Sequence, residues 1–380
     1  MKSRLLSFGF ALIAMLIMVR PASAQVTPAA GSVPPDDTQA PIRVGAVIFY
    51  DWTRTLEPTT TDAAGNTISA NSFNVTRTYI NVTGNISHRL AFRITPDITR
   101  ETASGLGTSG SLVFRLKYGY AQINLDDWTG DWKQTYARLG IQQTLFIDAQ
   151  ESVYRYRFQG TVFVERDGGL SSADAGASIH TNFPKNYGDI VVGVFNGEGY
   201  SRAEVNDQKS VQFRATFRPM PGGSLEAKGL RVTGFYLGDH TVKGAERSRA
   251  IGSVWYEHRR FNAGFDYITA VDQTLPTTAK VNQKGWSVFA TPFFKEKGNG
   301  FEALLRYDSY VPDRTNDTFD GSTATRNRLI AGLAYWFPHP GGAGTGALML
   351  DYEQVTFDHF APTSATATQK RIFLHGLINF

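Results

Sequence analysis

The sequence has no cysteine among its 380 residues. That excludes a disulfide scaffold and any cysteine-ligated metal centre. After the first two dozen residues no run of 18 apolar residues occurs, which excludes a transmembrane helix in that part of the chain. The seven histidines, His88, His180, His240, His258, His339, His359 and His375, lie far apart, and no pair has the spacing of a helical zinc site. There is no Gly-x-Ser-x-Gly elbow of a serine hydrolase. A cofactor is not expected. Asp126, Asp127 and Asp131 could hold calcium but read more simply as a polar turn, and Asn-x-Ser/Thr matches at Asn74, Asn81, Asn85 and Asn316 occur by chance in a chain of this length.

One long apolar run is present, at the start. Lys2 and Arg4 precede a 15-residue stretch from Leu5 to Val19, and Ala22-Ser23-Ala24 follows it. A positive end, a short apolar middle and small residues at a cut site are the parts of a secretory signal peptide. Residues 1–24 are therefore expected to be removed, leaving Gln25 first. The formal charge of +4 loses Lys2, Arg4 and Arg20, so 35 basic face 34 acidic residues. A balance so near zero gives no reason to expect nucleic acid as a partner. Residues 25–40, with Pro28, Pro34 and Pro35 among small polar residues, read as a flexible leader. The body of the chain is 41–380.

In that body the apolar period is two. Val211, Phe213, Ala215 and Phe217 alternate with Gln212, Arg214, Thr216 and Arg218. Leu112, Phe114, Leu116, Tyr118 and Tyr120 alternate with Arg115, Lys117 and Gly119; Leu90, Phe92 and Ile94 alternate with Arg89, Arg93 and Thr95. The segments run about 10–12 residues, the length a tilted strand needs to cross a bilayer, where soluble strands are nearer 5–6. Strands are expected near 42–52, 72–83, 86–97, 111–124, 133–143, 173–183, 187–197, 208–219, 229–240, 247–258, 261–271, 284–294, 300–310, 326–337, 346–357 and 369–380. Short turns, such as Gly84-Asn85, Arg259-Arg260 and 338–344, fall on one side, and longer gaps fall on the other. Both chain ends come out on the short-turn side, as an even-stranded closed barrel requires. Aromatic residues such as Trp52, Trp128, Trp132, Tyr187, Trp286 and Phe337 sit near strand ends, at the height of a barrel's girdles.

Residues 144–172 form the longest gap. Its segment 152–165 has strand character, in Val153, Tyr154, Tyr156, Phe158, Val162 and Phe163. As a wall strand it would break the turn parity, so it is assigned to a long third loop folded into the lumen. An 18-stranded barrel is the structural alternative.

If apolar faces meet lipid, the other faces line water. An arginine facing lipid at the midplane costs about 2–4 kcal/mol. The lumen is thus expected to hold Arg89, Arg93, Arg115, Lys117, Arg138, Arg214, Arg218, Arg231, Arg249, Arg306, Arg328 and Arg371, against Asp266, Glu302, Asp308, Asp351 and Glu353. Arg155, Arg157 and Arg166 of the long loop are expected at the constriction with Arg138. Sixteen strands leave an aqueous channel, and the excess of arginine predicts a mild preference for anions. The competing readings are an outer-membrane barrel enzyme and a soluble secreted β-sandwich binding protein.

The chain resembles the phosphate-selective porin O and P family. The likeness rests on Arg138-Leu139-Gly140-Ile141-Gln142-Gln143-Thr144 closing one strand and Ser172-Ala173-Asp174-Ala175-Gly176-Ala177 opening the next. It continues in Val194-Phe195-Asn196-Gly197-Glu198-Gly199, in Phe217-Arg218-Pro219 and in the final Phe380. It implies a sixteen-stranded, trimeric porin of the Gram-negative outer membrane, embedded in lipid and passing small anions or other hydrophilic solutes. Two positions depart from the family. Ala173 stands where it has an arginine, and Gln142-Gln143-Thr144-Leu145 stands where it carries lysine and proline.

Overall fold

The computed structural model describes residues 42–101, 109–224, 226–314, 323–338, 344–360 and 366–380. The expected signal peptide and leader lie outside these residues. Sixteen antiparallel strands close into one barrel. They are β1 Arg43–Glu57, β2 Asn71–Asn85, β3 Leu90–Arg100, β4 Leu112–Asn124, β5 Tyr136–Gln143, β6 Ala173–Asn182, β7 Gly188–Phe195 and β8 Ser210–Phe217. The second half comprises β9 Leu230–Val242, β10 Ala245–Glu257, β11 Phe261–Asp272, β12 Val281–Pro292, β13 Gly300–Val311, β14 Thr325–Trp336, β15 Thr345–Asp358 and β16 Thr368–Asn379. Closure pairs β1 with β16, from Val47 opposite Asn379 to Glu57 opposite Lys370. The ring leaves no free sheet edge, so every strand meets its backbone hydrogen-bonding need within the sheet, a condition for crossing lipid. No described helix is long and apolar enough to cross a membrane.

Side-chain alternation is what sorts the two faces. On β8, Val211, Phe213 and Phe217 are 42–50% exposed on the outer surface, while Gln212, Arg214 and Thr216 are buried toward the interior. The same phase puts Leu350 outside and Asp351 inside on β15. The expected inside–outside division holds on nearly every strand, with one inversion. On β4 a bulge opposite Thr95 and Pro96 inserts a residue at Lys117, because Thr95 pairs with Tyr118 and Pro96 with Leu116. Arg115 and Lys117 face inward as expected, but beyond the bulge Tyr118 and Tyr120 turn inward as well, where alternation alone places them with Leu116 outside. A bulge shifts the phase by one residue, and bulges gather where a side chain has to be re-aimed.

Two connections differ from expectation. β2 runs through Gly84 and Asn85, and the chain reverses at 86–89, where Ser87 accepts hydrogen bonds from the Arg89 and Leu90 amides through its Oγ. Between β9 and β10 a tight turn at Lys243-Gly244 stands on the long-loop side. Segment 152–165 forms no wall strand. Ile147–Tyr154 is a helix, α1, and Phe163–Arg166 a single turn, α2. Both lie inside the barrel with the third loop. An apolar cluster joins the loop chiefly to the inner faces of β9–β15, with Val47 and Phe49 of β1, Tyr79 of β2, Val191 and Phe195 of β7 and Leu377 of β16 also belonging to it.

Candidate functional site

The third loop is fixed to one half of the barrel wall. Phe146 lies 5.5 Å from both Phe235 and Trp255. Tyr154 meets Phe289 edge-on at 5.1 Å, and Tyr156 and Phe158 each meet Trp336 edge-on as well. Phe163 packs on Tyr310 beside Gly285, where a Cβ would come within 2.7 Å of its ring. Polar bonds complete the attachment. Gln150 donates to Asp266 at 2.6 Å, Asn262 to the Val153 carbonyl at 2.8 Å, and Arg249 to the Gly168 carbonyl at 2.7 Å. Buried polar groups of this kind are stable only when paired, and here wall residues supply the partners. The loop thus covers the inside of β9–β15 and leaves β2–β8 as the open wall.

Several residues expected at the constriction turn out to be anchors. Arg155 adopts a left-handed conformation (φ 63°) at the end of α1 and is 2% exposed. Its guanidinium bonds both Glu302 oxygens at 3.1–3.2 Å and lies over Trp336 at 4.6 Å. Arg166 pairs with Glu353 at 3.0 Å, and Glu353 also takes Arg328. Asp167 beside it takes Arg326. Arg155 and Arg166, both expected at the constriction, are thus paired with acids, and Arg155 still borders the cavity that Arg138 and Asp148 line. Arg157 is held between Glu151 at 2.8 Å and Glu165 at 3.4 Å. Arg89 is also re-placed. It sits in the short turn at the rim, bonded to Asp127 and stacked on Trp128, more than half exposed.

The open wall differs in its partners, not in burial: Arg93, Lys117 and Arg138 are 4%, 2% and 6% exposed. Arg93 bonds Asn81 and Thr95, and its guanidinium lies 4.5 Å from the Tyr118 ring centre. Lys117 bonds the Tyr79 hydroxyl at 3.2 Å and lies over the Tyr79 and Tyr118 rings. Arg138 bonds Gln122 and Gln143 and is stacked between Tyr120 and Tyr136, at 4.7 and 4.5 Å. Among the described residues none of these three cations has a carboxylate partner. Neutral amides, hydroxyls and tyrosine faces hold them instead, an arrangement that steadies a cation without cancelling its charge. Asp148 of α1 lines the same cavity as Arg138. α1 and the cationic wall therefore face one another across the narrow part of the lumen.

From there a cavity of about 430 Å³ leads to the short-turn end. Arg214, Arg218, Arg231 and Lys297 line it with Asp189 and Glu257. Arg214 bonds Asp189 at 2.5 Å, and Arg231 pairs with Glu257. Lys297, in the turn between β12 and β13, is pushed down to about 8 by burial and by the nearby charges of Arg155 and Arg231. Raising the pH from about 7 to 9 removes that charge, so anion preference should fall across this interval. The check is a reversal-potential series in pH, with Lys297→Met expected to flatten the step.

Sequence reasoning missed Tyr79, Arg77, Asp97 and Tyr200, which complete the wall. The Arg77 and Asp97 charges on inward parity were the available signal. Tyr200 lies in a loop and gave none.

No protein-family profile matches the chain, and no curated protein matches it in sequence. Solved structures do match. The outer membrane channel DcaP of Acinetobacter baumannii is similar at 11% identity over 92% of this chain and all of that one, with a TM-score of 0.58. An anion-selective porin from Comamonas acidovorans is similar at 10% identity over 90% of this chain and all of that one, TM-score 0.58. A trimer form of OmpT from Vibrio cholerae is similar at 11% identity, over 90% and 100% of the two chains, TM-score 0.55. The chain thus has the fold of Gram-negative outer-membrane porins: a sixteen-stranded transmembrane β-barrel.

Proposed function

We propose that the protein is a non-enzymatic porin that lets small hydrophilic solutes diffuse across the outer membrane, with a mild preference for anions. The observation that carries this is the open wall, where Arg93, Lys117 and Arg138 keep their charge uncompensated by acids. Charge at a constriction selects ions by local potential, so the near-neutral total matters little. The similarity to an anion-selective porin supports the reading, and the trimer form of another similar barrel supports assembly as a homotrimer. Export through removal of residues 1–24 belongs to the same proposal.

The test is the reversal potential of single channels in a KCl gradient. The expected potential lies on the chloride side; a strongly cation-selective channel sinks the anion preference. Preference for phosphate is the sharper form. Block of chloride current by micromolar phosphate supports it, and no block at millimolar concentration ends it.

A further inference from the structure

We infer that Tyr200, on the outer loop between β7 and β8, is a specificity-determining residue of the constriction. Its phenol covers Asp97 and keeps that carboxylate out of the ion path. The inference rests on the porin reading and adds to it the residue that keeps the open wall positive.

The loop leaves β7 and is pressed against the point where the third loop rejoins the wall. Gly199 adopts φ +78°, and a Cβ there would lie 2.7 Å from Ser171 Oγ. The Tyr200 amide donates to the Ala173 carbonyl at 3.0 Å. The backbone is thereby held at the root of β6, and the side chain reaches the inner face of β2–β4.

There the hydroxyl serves three groups. It accepts from Arg115 Nη2 at 2.9 Å and from Arg77 Nη1 at 3.4 Å. It donates to Asp97 Oδ2 at 3.1 Å. The Arg115 guanidinium also lies 4.8 Å from the ring centre. Arg77 and Arg115 both pair with the same Asp97 oxygen.

Exposure decides what removing the phenol would uncover. The Arg77 and Arg115 side chains are already 25% and 31% exposed, whereas Asp97 is 0% exposed. Loss of the ring therefore exposes mainly the acid. Asp97 is the carboxylate that pairs with Arg77 and Arg115 on this wall. Uncovered, it would attract cations where the wall now presents only positive charge. Tyr200 acts through Asp97 and through the width of the passage, and those two effects can be separated.

The experiment compares Y200A, Y200F, D97N and the double variant D97N/Y200A by reversal potential in a KCl gradient and by single-channel conductance. Y200A is expected to conduct more and to show an anion-to-cation permeability ratio lower by about two- to fivefold, the factor one unit charge a few ångströms away exerts in water. Y200F keeps the ring and loses the hydroxyl, so its ratio should fall less, in the same direction. D97N/Y200A should recover the wild-type ratio while keeping the higher conductance. Unchanged ratios in Y200A and Y200F overturn the inference, as does a fall in Y200A that D97N does not reverse. A wild-type protein that forms no channel sinks the porin reading instead, so the two failures are distinguishable.

Discussion

Replacing Arg93, Lys117 and Arg138 together by glutamine should abolish the anion preference and carry the reversal potential to zero or onto the cation side. All three cations lie buried on the inner face of the wall without a carboxylate partner, and Arg138 lines the cavity itself. The size follows from Coulomb's law. A unit charge at about 4 Å is worth roughly 1 kcal/mol in water and more at the intermediate dielectric of a protein surface. Removing three should change the permeability ratio by about tenfold or more. Asp148 on the facing helix, which lines the same cavity, would then weigh more in the field. Salt provides an internal check. The Debye length is about 10 Å at 0.1 M and about 3 Å at 1 M, so the wild-type preference should shrink in concentrated KCl. Arg89→Gln is the control. Arg89 lies at the rim with Asp127 and should leave the ratio unchanged. A triple variant that keeps the wild-type ratio would place selectivity elsewhere.

The division between what sequence could and could not tell has physical causes. Alternation such as Val211 to Thr216 was readable because the pleat enforces a period of two and lipid punishes a charge on the wrong face. Turn parity then set sixteen strands and kept 152–165 out of the wall. The bulge at Lys117 was unreadable. It adds a single residue, and tyrosines suit either face, so Tyr118 looked like one more lipid-facing aromatic. Helix α1 was hidden for a related reason. Its buried positions mix Ile147, Val153 and Tyr154 with Gln150 and Glu151, so it shows no clean helical stripe, and Val153 and Tyr154, with Tyr156 just beyond, read as strand. The anchoring arginines could not be told from channel arginines at all. Arg155 and Arg138 are the same residue type, close to one another in sequence. Only the tertiary partner, Glu302 for one and two tyrosines for the other, separates an anchor from a free charge.

That distinction leads to the largest expected effect on stability. Glu302→Ala should loosen the third loop and make the channel wider and noisier. Glu302 is fully buried and accepts from Arg155, from the Tyr156 hydroxyl at 2.8 Å and from the Gly298 amide at 2.5 Å. Its removal leaves Arg155 buried without a counter-charge, and breaking a buried pair by removing one partner costs about 3–5 kcal/mol. The cost falls on the loop before the barrel, because strand pairing around the ring does not depend on it. Protease cleavage within 144–172 should therefore rise while barrel melting changes less, and single-channel records should show larger, fluctuating conductance. Removing both charges should be milder. Replacing a buried ion pair by apolar groups of similar volume is often neutral or stabilising, so Arg155→Met with Glu302→Leu should restore protease resistance and steady conductance. Selectivity in that double variant should stay near wild type, because the Arg155 charge is already matched by Glu302 and removing both leaves the net charge of the lumen unchanged. A double variant that loses its anion preference would show that Arg155 acts in the ion path after all.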